Sequence, residues 1–273
     1  MLGSLYTGIT GMDAAAASMD VIGNNIANVN TCAFKSGSIS FASVFADTIN
    51  TLGGEAGNEE GKGVQVVGIN SVWEQGALET TMNPTDLSIT GDGFFKVIQN
   101  QTESYYTRAG QFRYDENYYL VDPDGRRVQG FTTSSSGVPL TSSAPVDIQI
   151  DPTTYTDARI EADGHITAEL SDGTRTHLFQ VAVFNFANNE GLRKVTGNLY
   201  EESINSGPPI FANGNVSGEN GVGKVMNNNL EMSNVDLARE FVDLIVSQRA
   251  FQANSRVISS SSDMLQEVIN IIR

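Results

Sequence analysis

Apolar residues recur along the two ends of the chain at steps that alternate between three and four. Near the C-terminus the positions are Leu237, Phe241, Leu244, Gln248, Phe251, Ser255, Ile258, Ser262, Leu265, Ile269 and Ile272. Such an alternation is a heptad seam, the pattern of a helix that packs along its length against other helices. Ser233, Asn234 and Asp236 can accept from the free backbone N–H groups at the helix start, and no Gly or Pro follows them. Residues 233–273 therefore predict one helix of roughly 55–60 Å. A second seam at the N-terminus carries Leu2, Leu5, Ile9, Met12, Ala16, Met19, Gly23 and Ile26. The run Ala14 to Ala17 favours helix, whereas Gly3, Gly8, Gly11 and Gly23 weaken it in isolation, so this helix depends on packing. The simplest pairing is of the two termini with each other. An ordinary two-helix bundle beside a globular core is the alternative.

Between the ends the period changes. Dense Asn and Thr between Asn24 and Thr31 compete with the helical backbone and predict the end of the first helix. Residues 51–63, rich in Gly and Glu, predict a mobile loop. From Val64 the chain reads as short strands: Val64 to Ile69, Leu87 to Thr90, Phe94 to Ile98, Tyr105 to Thr107, Gln111 to Tyr114 and Tyr118 to Val121. Asp122-Pro123-Asp124-Gly125 reads as a tight turn, and residues 132–144 as a loop. Asp163-Gly164 and Asp172-Gly173 bracket Ile166 to Leu170 and predict a β-meander, with Val181 to Phe184 as a further strand. Residues 205–229 read as a link back to the last helix. The fold class is mixed α and β: long terminal helices paired as a coiled-coil-like stem, with a mainly-β central domain between them. The expected divisions are a helical domain of 1–35 with 233–273, a connecting segment 36–70 and a β-rich domain 71–232.

Charge narrows the partners. A net charge of −16 argues against nucleic acid, which recruits a basic face. No stretch approaches the length of a membrane span. The N-terminus lacks the basic region and solid apolar core of a secretory signal peptide, which leaves the cytoplasm or an export route that uses no such peptide. The single cysteine, Cys32, excludes an intrachain disulfide; with no base nearby it reads as a small packed side chain. His165 and His177 fall on separate strands without metal-binding spacing. Adjacent carboxylates at Asp115-Glu116 and Glu201-Glu202 diverge and form no acid–base pair. No nucleotide, nucleophile-elbow or zinc motif occurs. The expectation is a protein without catalysis, metal or cofactor.

Specific segments resemble the axial proteins of the bacterial flagellum, the rod and hook subunits. They are Asp20 through Thr31 followed by Phe34-Lys35, Leu87 through Phe95, Tyr106 through Phe112, Gly197 through Tyr200, and Ser233 through Ser255. The signature residues are Asn24, Asn25, Ala27, Asn28, Asn30, Thr31, Phe34 and Lys35; the family usually has Gly where Ala33 stands, a turn position suited to positive φ. Phe34 to Gly37 with Ser40, Phe41, Ala42 and Phe45, together with Leu237 to Phe241 and Pro123 to Gly130, resemble hook subunits more than distal rod subunits. The resemblance implies a structural subunit of the hook, exported without a cleaved signal peptide, self-assembling into a helical tube outside the cell that carries torque from rod to filament. The middle is about as long as in a distal rod subunit, a straight drive shaft, which is the rival reading. A secreted β-rich adhesin or enzyme is the rival of another class. Implied partners are further copies of the chain, rod and hook–filament junction proteins, the hook cap and the export apparatus, without nucleic acid or membrane insertion. Leu2, Leu5, Ile9, Met12, Met19, Ile26, Leu237, Phe241, Leu244, Phe251, Ile258, Leu265 and Ile269 are expected at the subunit interface.

Overall fold

A computed structural model describes residues 2–44, 46–50, 58–99, 103–134, 144–151, 155–170, 172–210 and 222–272. The chain forms two compact units. One comprises residues 1–29, 36–72 and 235–273, the other residues 30–35 and 73–234. The segment expected to be a plain connector, 36–70, thus belongs with the helices, and residues 30–35 belong with the β unit.

In the helical unit, α1 (Leu2–Ala27) ends inside the Asn-rich run 24–31. Asn28 hydrogen-bonds back to the Asn24 carbonyl oxygen (2.8 Å) and side chain (3.1 Å). Four strands follow: β1 (Gly37–Ser43), β2 (Ala46–Asn50), β3 (Asn58–Gly61) and β4 (Val64–Ser71). β1 pairs antiparallel with β4 and β2 with β3. Of the expected loop 51–63, residues 51–57 lie outside the described residues, while Asn58–Gly61 is strand because β2 supplies its backbone partners. α2 (Leu237–Ile272) runs 36 residues. Asp236 caps it, its Oδ1 accepting from Ala238 N at 2.9 Å.

The β unit begins with β5 (Leu78–Thr80), β6 (Leu87–Thr90), β7 (Phe94–Gln99) and β8 (Glu103–Thr107). It continues with β9 (Arg113–Tyr114), β10 (Leu120–Val121), β11 (Arg127–Thr132), β12 (Val146–Asp147), β13 (Tyr155–Ile160) and β14 (His165–Leu170). The last members are β15 (Arg175–Val181), β16 (Val183–Phe184), β17 (Arg193–Lys194), β18 (Leu199–Glu201), β19 (Lys224–Asn227) and β20 (Asn229–Glu231). The main sheet has the path β13-β14-β15-β11-β7-β8-β18-β17. β6 pairs with β19, and β5 with β20.

Phe94 and Phe95 on β7 point to opposite faces by the pleat, and both are fully buried. Phe95 joins Val97, Leu120, Val128, Ile148 and Ile166 in one core. Phe94 joins Tyr106, Phe184, Phe186 and Tyr200 in the other, with Trp73 edge-on to it at 5.2 Å. A sheet covered on both faces produces continuous apolar runs such as Phe94-Phe95 in place of strict alternation. The expected meander is present as β13-β14-β15, with Gly164 (φ 78°) and Gly173 (φ 77°) at its two turns. Residues 205–229 are not simply a link. Val225 on β19 is fully buried opposite Ile89, so a strand completes that core there; residues 211–221 lie outside the described residues, as do 135–143 of the expected loop 132–144.

Candidate assembly interface

α1 and α2 meet along a stripe of small and polar residues in antiparallel register. Ser4 Oγ lies 3.2 Å from Ser261 Oγ, and Ser18 Oγ 3.1 Å from Ser247 Oγ. Asn25 Nδ2 donates to Glu240 Oε1 at 3.0 Å. Between these points a Cβ placed on Gly8 would come within 2.9 Å of Ile258 Cγ1, and one on Gly11 within 2.6 Å of Asn254 Nδ2. Glycines at both positions let the helix axes approach closely. Ser4, Gly8, Gly11, Ser18 and Asn25 share one 3–4 spaced stripe, as do Glu240, Ser247, Asn254, Ile258 and Ser261 on α2. An adjacent side of α1 faces β1 and β4: Gly37 lies against Val21, and Val64 N approaches Thr10 Oγ1 at 3.4 Å.

Asn25 joins three elements. Its Nδ2 donates to Gly37 O at 3.0 Å as well as to Glu240, and its Oδ1 accepts from Gly37 N at 2.8 Å. Burial lifts the Glu240 carboxyl above the ordinary glutamate range, with the Asn25 hydrogen bond opposing that rise and the Asp243 charge adding to it.

This contact stripe is offset by about one residue from the large apolar seams, with Ile258 of the α2 seam lying on it. On α2, Leu244, Ile258 and Leu265 are half-buried, whereas Leu237, Phe241, Phe251 and Ile269 are exposed. On α1, Leu5, Met12, Met19 and Ile26 are half-buried and Ile9 is exposed; the side chain of Leu2 lies outside the described residues. Phe241, Val242, Ile245 and Val246 are each at least 50 % exposed and lie together on one face of the first turns of α2. Phe41, Val67 and Ile69 are exposed on β1 and β4. A contiguous exposed apolar face of this kind marks a surface that other surfaces cover.

The signature residues divide between the two units. Asn24, Ala27 and Asn30 are exposed, and Asn28 and Thr31 are half-buried. In the β unit Phe34 is buried with Lys194 Nζ 4.6 Å from its ring centroid. Lys35 is buried against Glu231, Nζ to Oε1 2.6 Å. Ala33 holds φ at 56°, so the position where the resemblance implied Gly does adopt the left-handed region. Cys32 donates to Glu231 O at 3.2 Å, and burial pushes its thiol up to about 11. Asp122-Pro123-Asp124-Gly125 is a turn: Gly125 N donates to Asp122 O at 3.0 Å, and Arg126 Nη1 pairs with Asp122 (2.9 Å) and Asp124 (2.6 Å).

Besides Lys35 with Glu231, a second pairing escaped sequence reading. The β14–β15 register brings His165 and His177 edge to face, with ring centroids 5.5 Å apart. Burial lowers the His165 pKa, and His177 lowers it further. Among the described residues no group of three or more His, Cys, Asp or Glu is placed to hold a metal ion, and no helix is long and apolar enough to cross a membrane.

Helical ends with uncovered apolar flanks, attached in sequence to a β unit sealed on both sheet faces, define a structural subunit. The comparisons with known proteins specify which kind. Residues 5–35 match the family described as flagella basal body rod protein, residues 88–168 the flagellar hook protein FlgE/F/G D1 domain, and residues 226–271 the flagellar basal body rod FlgEFG protein C-terminal. The flagellar basal-body rod protein FlgG of Bacillus subtilis is 38 % identical over 283 residues, covering 100 % of both chains. FlgG of Borreliella burgdorferi is 32 % identical over 282 residues with the same full coverage. The flagellar hook protein FlgE of Treponema pallidum is 25 % identical over 467 residues, again covering both chains fully. The chain belongs to the flagellar rod and hook protein family, and it is a structural subunit of the flagellar axial structure.

Proposed function

We propose that this chain is a subunit of the flagellar rod and assembles with further copies of itself into a straight helical tube that carries torque. The end-to-end match to rod proteins carries this reading: identity of 38 % and 32 % extends over the whole of both chains. In that tube α1 and α2 pair as a coiled-coil-like stem on the inner wall. Leu5, Ile9, Met12, Met19 and Ile26 on α1, with Leu237, Phe241, Phe251 and Ile269 on α2, meet neighbouring subunits. The exposure of Ile9, Leu237, Phe241, Phe251 and Ile269 supports this division, since complete covering of such a side chain by a neighbour contributes up to about 1.5–3 kcal/mol. The partners are rod and hook proteins, the hook cap and the export apparatus.

A second reading, a subunit of the curved hook, is favoured by the full-length similarity to FlgE and by a family model that spans FlgE, FlgF and FlgG. Gold-labelled antibody on isolated hook–basal bodies separates the two. Label over the straight rod supports the proposal, and label over the curved hook transfers it to the second reading. Tubes that carry no label at either place overturn both.

A further inference from the structure

The chain passes between its two compact units four times: at 29/30, 35/36, 72/73 and 234/235. Inside the β unit, the segments next to these passages are tied to one another. Glu231 Oε1 accepts from Lys35 Nζ at 2.6 Å, from Gly76 N at 3.0 Å and from Arg108 Nη1 at 3.4 Å. Lys35 Nζ also donates to Glu74 O at 2.7 Å, and the same carbonyl accepts from Asn234 Nδ2 at 3.3 Å. Backbone bonds run alongside, from Ala33 N to Glu231 O (2.7 Å), Met232 N to Ala77 O (2.8 Å) and Asn234 N to Phe34 O (3.4 Å). Arg108 is anchored independently, its guanidinium donating to the carbonyls of Gly93 (2.8 Å) and Gly91. The side chains of Lys35 and Glu231 are entirely buried.

We propose that Lys35, Glu231 and Arg108 form a latch that gathers the chain passages of the β unit at one point, with Lys35 as its releasable member. Breaking a buried pair by removing one partner leaves a charge uncompensated, which is costly. Glu231 keeps Arg108 and Gly76 N when Lys35 is lost, so its carboxylate stays solvated by protein donors. The arm 30–35, in contrast, loses its charged tether and keeps the bonds of Cys32, Ala33 and Phe34 to the segment 231–234. Removal of Lys35 therefore loosens the arm and leaves the sheet intact. In an axial subunit, force delivered through the helical ends enters the β unit at these passages, and the latch makes them share it. That consequence rests on the structural-subunit role; the latch itself does not.

Hydrogen exchange on the purified full chain tests the latch without requiring a tube. In Lys35→Met, exchange at residues 31–35 rises about 10- to 100-fold while β7 and β8 keep wild-type protection. Unchanged exchange in the arm overturns the latch. An equal rise through the whole β unit also overturns it, because the pair then contributes only general stability. If Lys35→Met does not fold, Lys35→Gln, which removes the charge but keeps a polar head while Glu231 and Arg108 stay paired, is measured in its place, and the same two outcomes decide.

Discussion

Gly11 of α1 approaches Asn254 of α2 so closely that a single added carbon would lie 2.6 Å from the amide nitrogen. Gly11→Leu therefore wedges the helices apart. Overpacking of this kind costs about 1–3 kcal/mol. Assembly yield and the thermal midpoint of the helical circular dichroism signal both fall, and Asn254→Ala in the same chain recovers part of the loss by opening space. Unchanged values in Gly11→Leu contradict the close approach.

Phe241 is half-exposed, so Phe241→Asp lowers the stability of the isolated chain by only about 1 kcal/mol. Assembly is lost all the same, because a carboxylate buried without a partner in the neighbour's surface is strongly unfavourable. Chemical denaturation and electron microscopy of the variant check the two halves. Normal tubes from this variant would refute the interface assignment.

Ala33 occupies a conformation that costs an L-residue about 1–2 kcal/mol. Ala33→Gly relieves that strain and gives back part of it as extra freedom in the unfolded chain. The expected outcome is a net gain of about 0.5–1 kcal/mol, read as a rise of the β unit's thermal midpoint. A fall in the midpoint shows that the lost methyl contributes more through packing than the backbone conformation costs.

Burial raises the Glu240 carboxyl, so between the ordinary glutamate value of about 4.3 and the raised one the folded helical unit binds more protons than the unfolded chain. Stability of that unit therefore increases as pH falls through this window and decreases as pH rises through it. Denaturation of the helical signal between pH 7 and pH 4 shows this slope in the wild type, and Glu240→Gln flattens it. A slope that persists in Glu240→Gln assigns the effect to another group.

Much of this architecture is legible from local chemistry. The Asn24–Thr31 run ends α1, Asp236 starts α2, and the Asp-Gly pairs turn β13-β14-β15, each because a nearby side chain or a glycine decides the backbone. The helix contact was less legible. Reading the large apolar residues selects Leu5, Ile9, Phe241 and Ile269, yet the intramolecular stripe runs through Ser4, Gly8, Gly11, Ser247 and Ser261. Close approach selects small side chains, which hydrophobic periodicity does not count. Lys35 with Glu231 and His165 with His177 were illegible for another reason. Their meeting depends on which strands become neighbours and in what register, information that no short window of sequence contains.

The buried pair Phe94-Phe95 also restricts how this chain can vary. Because consecutive residues of β7 feed two separate cores, inserting or deleting one residue there exchanges the two faces and carries Lys96 into an apolar interior. Changes in length are confined to the connections between strands. Family members that differ in size can therefore grow at their turns while the sheet keeps its residue count.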